Sequence, residues 1–413
     1  MATRRALEKQ AEELNRAQRN LRQYTFYSAK GFWSKTSMNS NAKKPVGNTA
    51  ISGGTIKKRE AVLLGMVAQI MKSRIPTVMI ANGSEMPDID DRMIDLVSGN
   101  PDTQLIVTSA ENNNYDFFAG WSVPQIVDFF CTCAIGDGLS SGEMMGFLQQ
   151  YFLLIEKVYG EVNLRTLADA AHMAQGGRES IEVLIQKLGD DIDTNICVAV
   201  NYLRRTTEQR QNWEVMLHKV LDGLGALQTD YLGYSLKKHL PGSGEIILIH
   251  AEDASDHELL TKYLEKELAS KRTLPFQLII CECADERMIT WSKALINAGS
   301  VVTLCTQSIY TVLGEDGLKL PFQNMVFLFD RCSMPLNTGR ELSMLGSFHY
   351  WQVAEGGSSP PVAFSYWTGT HAGLVSEERN KVMPQDVVEC EAVFYGHSSF
   401  LSKNEIALVH KML

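Results

Sequence analysis

The stretch Pro275-Phe276-Gln277-Leu278-Ile279-Ile280-Cys281-Glu282-Cys283 decides the fold. Its run of consecutive apolar residues lacks polar alternation, the pattern of a strand covered on both faces. Phe276 to Cys281 therefore reads as a central strand of a parallel sheet. In an open α/β sheet the ligand crevice lies beyond the carboxyl ends of the strands. This strand delivers Glu282 to that edge, with Asp285 and Glu286 shortly after. A nucleotide-hydrolysing strand of this kind ends in an Asp-Glu pair, the Asp holding Mg²⁺ through water and the Glu positioning the attacking water. Here Cys281 stands where that Asp would be.

Working outward, Val301 to Cys305 is a second strand and ends in Thr306-Gln307-Ser308. A Gln at a strand's carboxyl end can sense a terminal phosphate or orient water; the plain alternative is a strand-end turn. Thr77 to Ala81, followed by Asn82-Gly83-Ser84-Glu85, and Gln104 to Thr108 read as two further strands separated by a helical pattern, a βαβ unit. Glu245 to His250 and Met325 to Phe329 add two more. Leu259 to Ala269 reads as a helix, Gly339 to Gly346 as a short one, Val362 to Thr368 as an edge strand, and the tail after Pro384 as a last short helix or two. From Val123 to about Leu240 the pattern changes to long segments of helical period, with no strand signal between them. The chain is thus expected to be α/β, a mostly parallel sheet flanked by helices, with an inserted all-helical domain.

Ala50 to Glu60 reads AISGGTIKKRE, and a helical pattern follows from Ala61 to Met71. Paired glycines between a strand and a helix are how a chain wraps a phosphate, because glycine lets backbone N–H groups approach and the helix N-terminus supplies partial positive charge. A working phosphate loop needs G-x-x-x-x-G-K-[ST]. Counting from Gly53, Lys58 stands at the second Gly, Arg59 at the Lys and Glu60 at the hydroxyl. An ordinary strand-turn-helix is the other reading of the same residues.

The chain has 413 residues, 45% hydrophobic and 21% charged, enough for one large α/β domain and a second unit. No apolar run reaches the roughly 18 to 20 residues needed to span a bilayer, and the start MATRRALEKQ has no hydrophobic region. A cytoplasmic chain with no membrane span is expected. The eight cysteines are scattered, several within strand-like runs, as buried reduced thiols would be. The two C-x-C pairs are too tight for a zinc knuckle and no matching His pair follows, so no metal is expected.

The net charge of −9 is unevenly spread: residues 1 to 60 hold thirteen basic and four acidic side chains, a balance of +9 that leaves −18 for the rest. Residues 2 to 23 favour a polar helix, which is either simply solvated or an arm touching nucleic acid or an anionic surface. Tyr24, Phe26, Tyr27, Phe32 and Trp33 form an aromatic cluster suited to docking the arm on the body, or to stacking on bases. Ser34 to Asn48 reads as a loop.

The order of these features resembles the type IV coupling proteins, TraG-like P-loop ATPases of the FtsK/HerA class that bring DNA or protein to conjugation and type IV secretion channels. The resemblance covers about residues 24 to 390. It implies a RecA-like mostly parallel sheet flanked by helices, built from residues 49–122 and 241–413, with residues 123–240 as the inserted all-α domain and residues 1–48 as a basic arm and linker. It implies that Gly53, Gly54, Thr55, Lys57, Lys58, Arg59 and Glu60 lie in the phosphate loop. Cys281 and Glu282 take the Mg²⁺-side and catalytic-glutamate positions, and Gln307 the sensor position. The loop has lost its second Gly, its Lys and its hydroxyl, and the strand its Asp. With several phosphate and metal contacts gone, turnover should be lost. The resemblance then implies a pseudo-ATPase that recruits substrate or assembles, as a homo- or hetero-oligomer, with secretion or conjugation machinery or an active paralogue. It would work at the inner face of the membrane, with no cofactor, or with ATP and Mg²⁺ where the loop still functions. Two alternatives stay open: an active translocating ATPase using Lys57, Lys58 or Arg59, and a nucleic-acid-binding module contacting DNA through the arm.

Overall fold

The computed structural model describes residues 4–18, 24–28, 47–108, 116, 118–134, 141–174, 180–189, 192–205, 207–227, 231–233, 244–251, 276–282, 287–297, 299–330, 335–356, 371–396 and 405–410. Phe32, Trp33, the expected helix Leu259 to Ala269, Asp285, Glu286 and the expected edge strand Val362 to Thr368 lie outside the described residues. The chain divides into two compact units. The first holds residues 1–69, 284–289 and 304–413, the second residues 70–283 and 290–303.

In the second unit the strands β3 (Thr77–Asn82), β4 (Gln104–Thr108), β5 (Glu245–Ala251) and β6 (Gln277–Cys281) are joined in the order β6-β3-β5-β4, every pair parallel. All five residues of β6 are buried, as are the first five of β3, which is why these strands read as unbroken apolar runs. Leu278, Ile279, Ile280 and Cys281 are each fully buried. Burying one such aliphatic side chain contributes roughly 1.5–3 kcal/mol. One helix, α3 (Ile89–Ser98), lies between β3 and β4, with Asp90 and Asp91 in its first turn where the helix dipole favours negative charge.

Between β4 and β5, which pair directly, the described chain is helical: α4 (Val123–Ala134), α5 (Ser141–Tyr159), α6 (Leu164–Ala174), α7 (Ser180–Leu188), α8 (Thr194–Arg205) and α9 (Thr207–Gly223). Their apolar faces close on a core of aromatic rings, Phe118, Phe129, Phe130, Phe147, Tyr151 and Phe152, all fully or almost fully buried. Neighbouring rings in it sit 5.3–6.2 Å apart, several edge to face. Asn163 and Thr166 start α6 with a reciprocal pair of side-chain to backbone bonds of 2.9 Å.

The first unit orders its strands β1-β12-β11-β8-β2, with β7 (Val301–Thr306) next to β2. Here β1 is Tyr24–Ser28, β2 Thr49–Gly53, β8 Asn324–Leu328, β11 Cys390–Gly396 and β12 Glu405–His410. The pairs β2–β8 and β1–β12 are parallel, whereas β11 is antiparallel to both its neighbours. One expectation changes: among the described residues the tail after Pro384 holds a 3-10 turn (Pro384–Val387) followed by two strands rather than α-helices. The segment Tyr24–Ser28, read from the sequence only as part of an aromatic cluster, is a strand at the end of the strand order. The tail's short runs, Ala392-Val393-Phe394 and Ile406-Ala407-Leu408-Val409, are buried on both faces, an environment that favours the extended form over a short isolated helix. Outside this sheet, β9 (Ser347–Gly356) and β10 (His371–Asn380) form a two-stranded antiparallel ribbon. The N-terminal helix α1 (Arg4–Gln18) is fixed to it by Asn15, whose side chain bonds the main chain of Trp351.

Candidate functional site at the glycine turn

Gly53 ends β2 with φ +84° and Gly54 follows with φ +63°, conformations that only glycine adopts without strain. A Cβ on Gly53 would collide with the Leu328 carbonyl of β8, so the turn is also pressed against its neighbour strand. The Gly53 N–H donates to the Gln307 carbonyl at 3.0 Å. After Thr55 the chain is already helical, as α2 (Ile56–Ser73), because the Thr55 carbonyl accepts from the N–H groups of Lys58 and Arg59 at 3.0 and 3.1 Å. The loop is therefore two residues long, Gly54 and Thr55, and Lys57, Lys58, Arg59 and Glu60 sit in the first turns of a helix.

Those helical residues face different surroundings. Lys57 and Lys58 are exposed, and the Lys58 ammonium lies 3.4 Å from the Phe329 carbonyl. Arg59 is 3% exposed and its Nη1 donates to the carbonyls of Gly53 at 2.9 Å and Gly54 at 2.7 Å. A guanidinium bound in this way braces the turn from inside the protein. Glu60 is buried beside it in sequence, at 5% exposure. Gln307 is exposed and meets the turn through its backbone carbonyl. Cys281, fully buried, and Glu282, half-buried with φ +55°, belong to the second unit; the glycine turn and Gln307 belong to the first.

Facing the turn is a cavity of about 330 Å³, lined among others by Ser52, Gly54, Gln307, Ser308, Asp330 and Glu341. Its central group is Glu341, 6% exposed, on the short helix α12 (Pro335–Leu342). Glu341 Oε2 accepts from the Ser52 hydroxyl at 2.8 Å, and Oε1 accepts from the Ser308 hydroxyl at 2.6 Å and the Tyr310 N–H at 3.1 Å. Burial holds the Glu341 carboxyl above the usual glutamate range, an effect only partly offset by the bonds from Ser308, Ser52 and the backbone at Ile309. Ser308 also caps the helix α11 (Ile309–Leu318) by accepting from the Thr311 N–H at 3.1 Å. The Ile309 N–H points to the Ser52 hydroxyl at 3.4 Å. The leading N–H groups of α11, which in other proteins meet a phosphate, are thus taken by side chains of this chain.

Chemically the arrangement ties three elements together through one buried carboxyl. Both serine hydroxyls are committed to Glu341 and no histidine is among the cavity's lining residues, so they are placed as structural donors rather than as nucleophiles. No group of three or more potential metal ligands occurs among the described residues. At the turn itself the Gly53 N–H is bonded to the Gln307 carbonyl, and both glycine carbonyls hold the Arg59 guanidinium. Glu341, Ser52, Asp330 and Asn337 are absent from the sequence-based expectation. Ser308 carried a local signal, a Ser between a strand and a helix, whereas Glu341 is 289 residues from Ser52 and carried none.

No model of a known protein family matches the chain, and no curated protein matches it. Among solved structures it is similar to the bacterial conjugative coupling protein TrwBdeltaN70 in an unbound form, at 14% identity and TM-score 0.43, covering 88% of this chain and 84% of that one. It is similar to the plasmid coupling protein TrwB in complex with ADP and Mg²⁺, at 13% identity and TM-score 0.43, over 88% and 84% of the two chains. VirB4 of Thermoanaerobacter pseudethanolicus is similar at 11% identity and TM-score 0.39, over 68% of this chain and 76% of that one. At such low scores and identities these likenesses fix neither the activity nor the ligands of this chain.

Proposed function

We propose that this chain is a degenerate, non-hydrolysing relative of the coupling-protein ATPases, a RecA-like subunit that recruits substrate or assembles with partners in a conjugation- or secretion-type system. The observation that carries the reading is Arg59, buried and donating to the carbonyls of both turn glycines. Its charge faces the back of the turn, where an active loop would place an ammonium on the terminal phosphates. Glu60 stands where a hydroxyl would meet Mg²⁺, and Cys281 removes the carboxylate at the end of β6.

The test is calorimetric titration of the full chain with Mg²⁺-ATP, together with a phosphate-release assay. No saturable heat and no release above blank are expected. Turnover that disappears in a Glu282→Gln variant would overturn the reading and identify an active motor.

A further inference from the structure

The ribbon β9–β10 has two outer edges, and only one is covered among the described residues. Trp351 on β9 faces Ser376 on β10. Both main-chain groups of Trp351 go to Asn15 of α1: the Asn15 Oδ1 accepts the Trp351 N–H and its Nδ2 donates to the Trp351 carbonyl, each at 2.8 Å. In an antiparallel pair a residue either exchanges both main-chain bonds with its partner or turns both away from it, so Trp351 and Ser376 form a pair of the second kind. By the two-residue repeat, Leu374, Ser376 and Glu378 turn their N–H and C=O groups away from β9. The sheet ends at β10 and no further strand continues it among the described residues. Asn15 imitates a peptide group on the β9 edge; the β10 edge has no such cover there. Val375 is 46% exposed, and Ser376, Glu377 and Glu378 are exposed beside it.

An open edge of this kind is a template for another strand, and its side chains decide which. Glu377 gives one oxygen, Oε2, to Arg379 at 2.6 Å, and Glu378 gives Oε1 to the Ser347 hydroxyl. The second oxygen of each has no partner among the described residues. Being consecutive, the two carboxylates point to opposite faces of the ribbon. A second copy of β10 would bring the same carboxylates, and its Arg379 is already engaged by Glu377 and stacked 4.0 Å over Tyr350. Like charges across a strand pair are destabilising, whereas opposite charges stabilise it.

We propose that the outer edge of β10 accepts an extended, basic segment of a partner polypeptide as an added strand. Ser376 and its outward neighbours supply the main-chain bonds, and Glu377 and Glu378 select Lys or Arg. This surface is separate from the glycine turn and does not depend on whether nucleotide binds there. The probe is a short labelled peptide alternating Lys and Val, with a Glu–Val peptide as control, titrated by fluorescence anisotropy onto the full chain. Saturable binding of the Lys–Val peptide alone is expected. Ser376→Pro removes an N–H that the ribbon itself does not use, a change edge strands tolerate, and should abolish binding. The double change Glu377→Lys with Glu378→Lys, at two exposed positions, should weaken the Lys–Val peptide about tenfold and admit the Glu–Val peptide. No saturable binding, or binding untouched by all three changes, overturns the proposal. Dimerisation in light scattering that Ser376→Pro removes would overturn it in favour of a second copy.

Discussion

Arg59 and Glu341 are two buried charges that hold the same region in opposite ways. Arg59 bonds the turn's carbonyls, and a neutral replacement of similar volume leaves those acceptors facing protein instead of water. Arg59→Met should lower stability by about 3 kcal/mol in urea unfolding, and Arg59→Lys should recover only part of it, because an ammonium lacks the planar fork. Glu341 has a pKa raised by burial, so the folded state binds its proton more tightly than the unfolded chain does. Below the unfolded-state value both states are protonated and the group is neutral in its effect. As pH rises from there through the raised folded value, the unfolded state ionises first and stability falls, a penalty that persists above it. Glu341→Gln should therefore gain on the wild type as pH rises through this window, measured as the difference in unfolding midpoint at a series of pH values. A difference that stays constant with pH would remove Glu341 from this role.

At the scale of elements, the connection from β2 to α2 is set by backbone conformation and by the approach of β8. Gly53 combines a positive φ with a neighbour strand that leaves no room for a Cβ, whereas Gly160, also at positive φ (+82°), has open space around it. Gly53→Ala should cost at least about 2 kcal/mol and Gly160→Ala only about 1 kcal/mol, the difference being the steric part. Paired thermal melts of the two variants check this, and equal losses would show that the contact with Leu328 yields easily. Short buried strands such as β11 and β12 illustrate the same principle from the packing side. Their local sequence permits either state, and antiparallel pairing of β11 with both β8 and β12 selects the extended one.

Across the whole molecule the distribution of charge matters more than its sum. The first 60 residues carry an excess of +9 on a chain of net −9, and Arg4, Arg5, Lys9 and Arg16 of α1 are exposed. Yet Arg4 already pairs with Glu8 at 2.9 Å, and Asn15 is spent on β9, so the arm offers charge without a reading element. Any binding to duplex DNA should be weak, indifferent to sequence and steeply weakened by salt. Deleting residues 1 to 23 and measuring affinity at two salt concentrations tests it; an affinity that does not change would remove the arm as a contact. No helix among the described residues is long and apolar enough to cross a membrane.

The sequence by itself determined the α/β class and the central strands, because LIIC, TVMIA and VVTLC are apolar on both faces, the pattern of strands in a sheet covered on both sides, and helical patterns separate them. It also determined the long helical stretch between β4 and β5, through its 3.6-residue period, and the glycine turn, through paired residues that alone tolerate positive φ. Only the tertiary structure decided what the turn's neighbours do. Counting along the chain assigned Arg59 to a phosphate, but the helix begins at Ile56 and rotates that side chain onto the glycine carbonyls. The Ser52–Glu341–Ser308 bridge was illegible for a related reason: its members are brought together from β2, α12 and the start of α11 by strand order, and no local pattern encodes a contact across 289 residues. The tail strands and the strand Tyr24–Ser28 likewise depend on neighbours, since a short segment takes the conformation that pairs its backbone groups with whatever edge the fold provides.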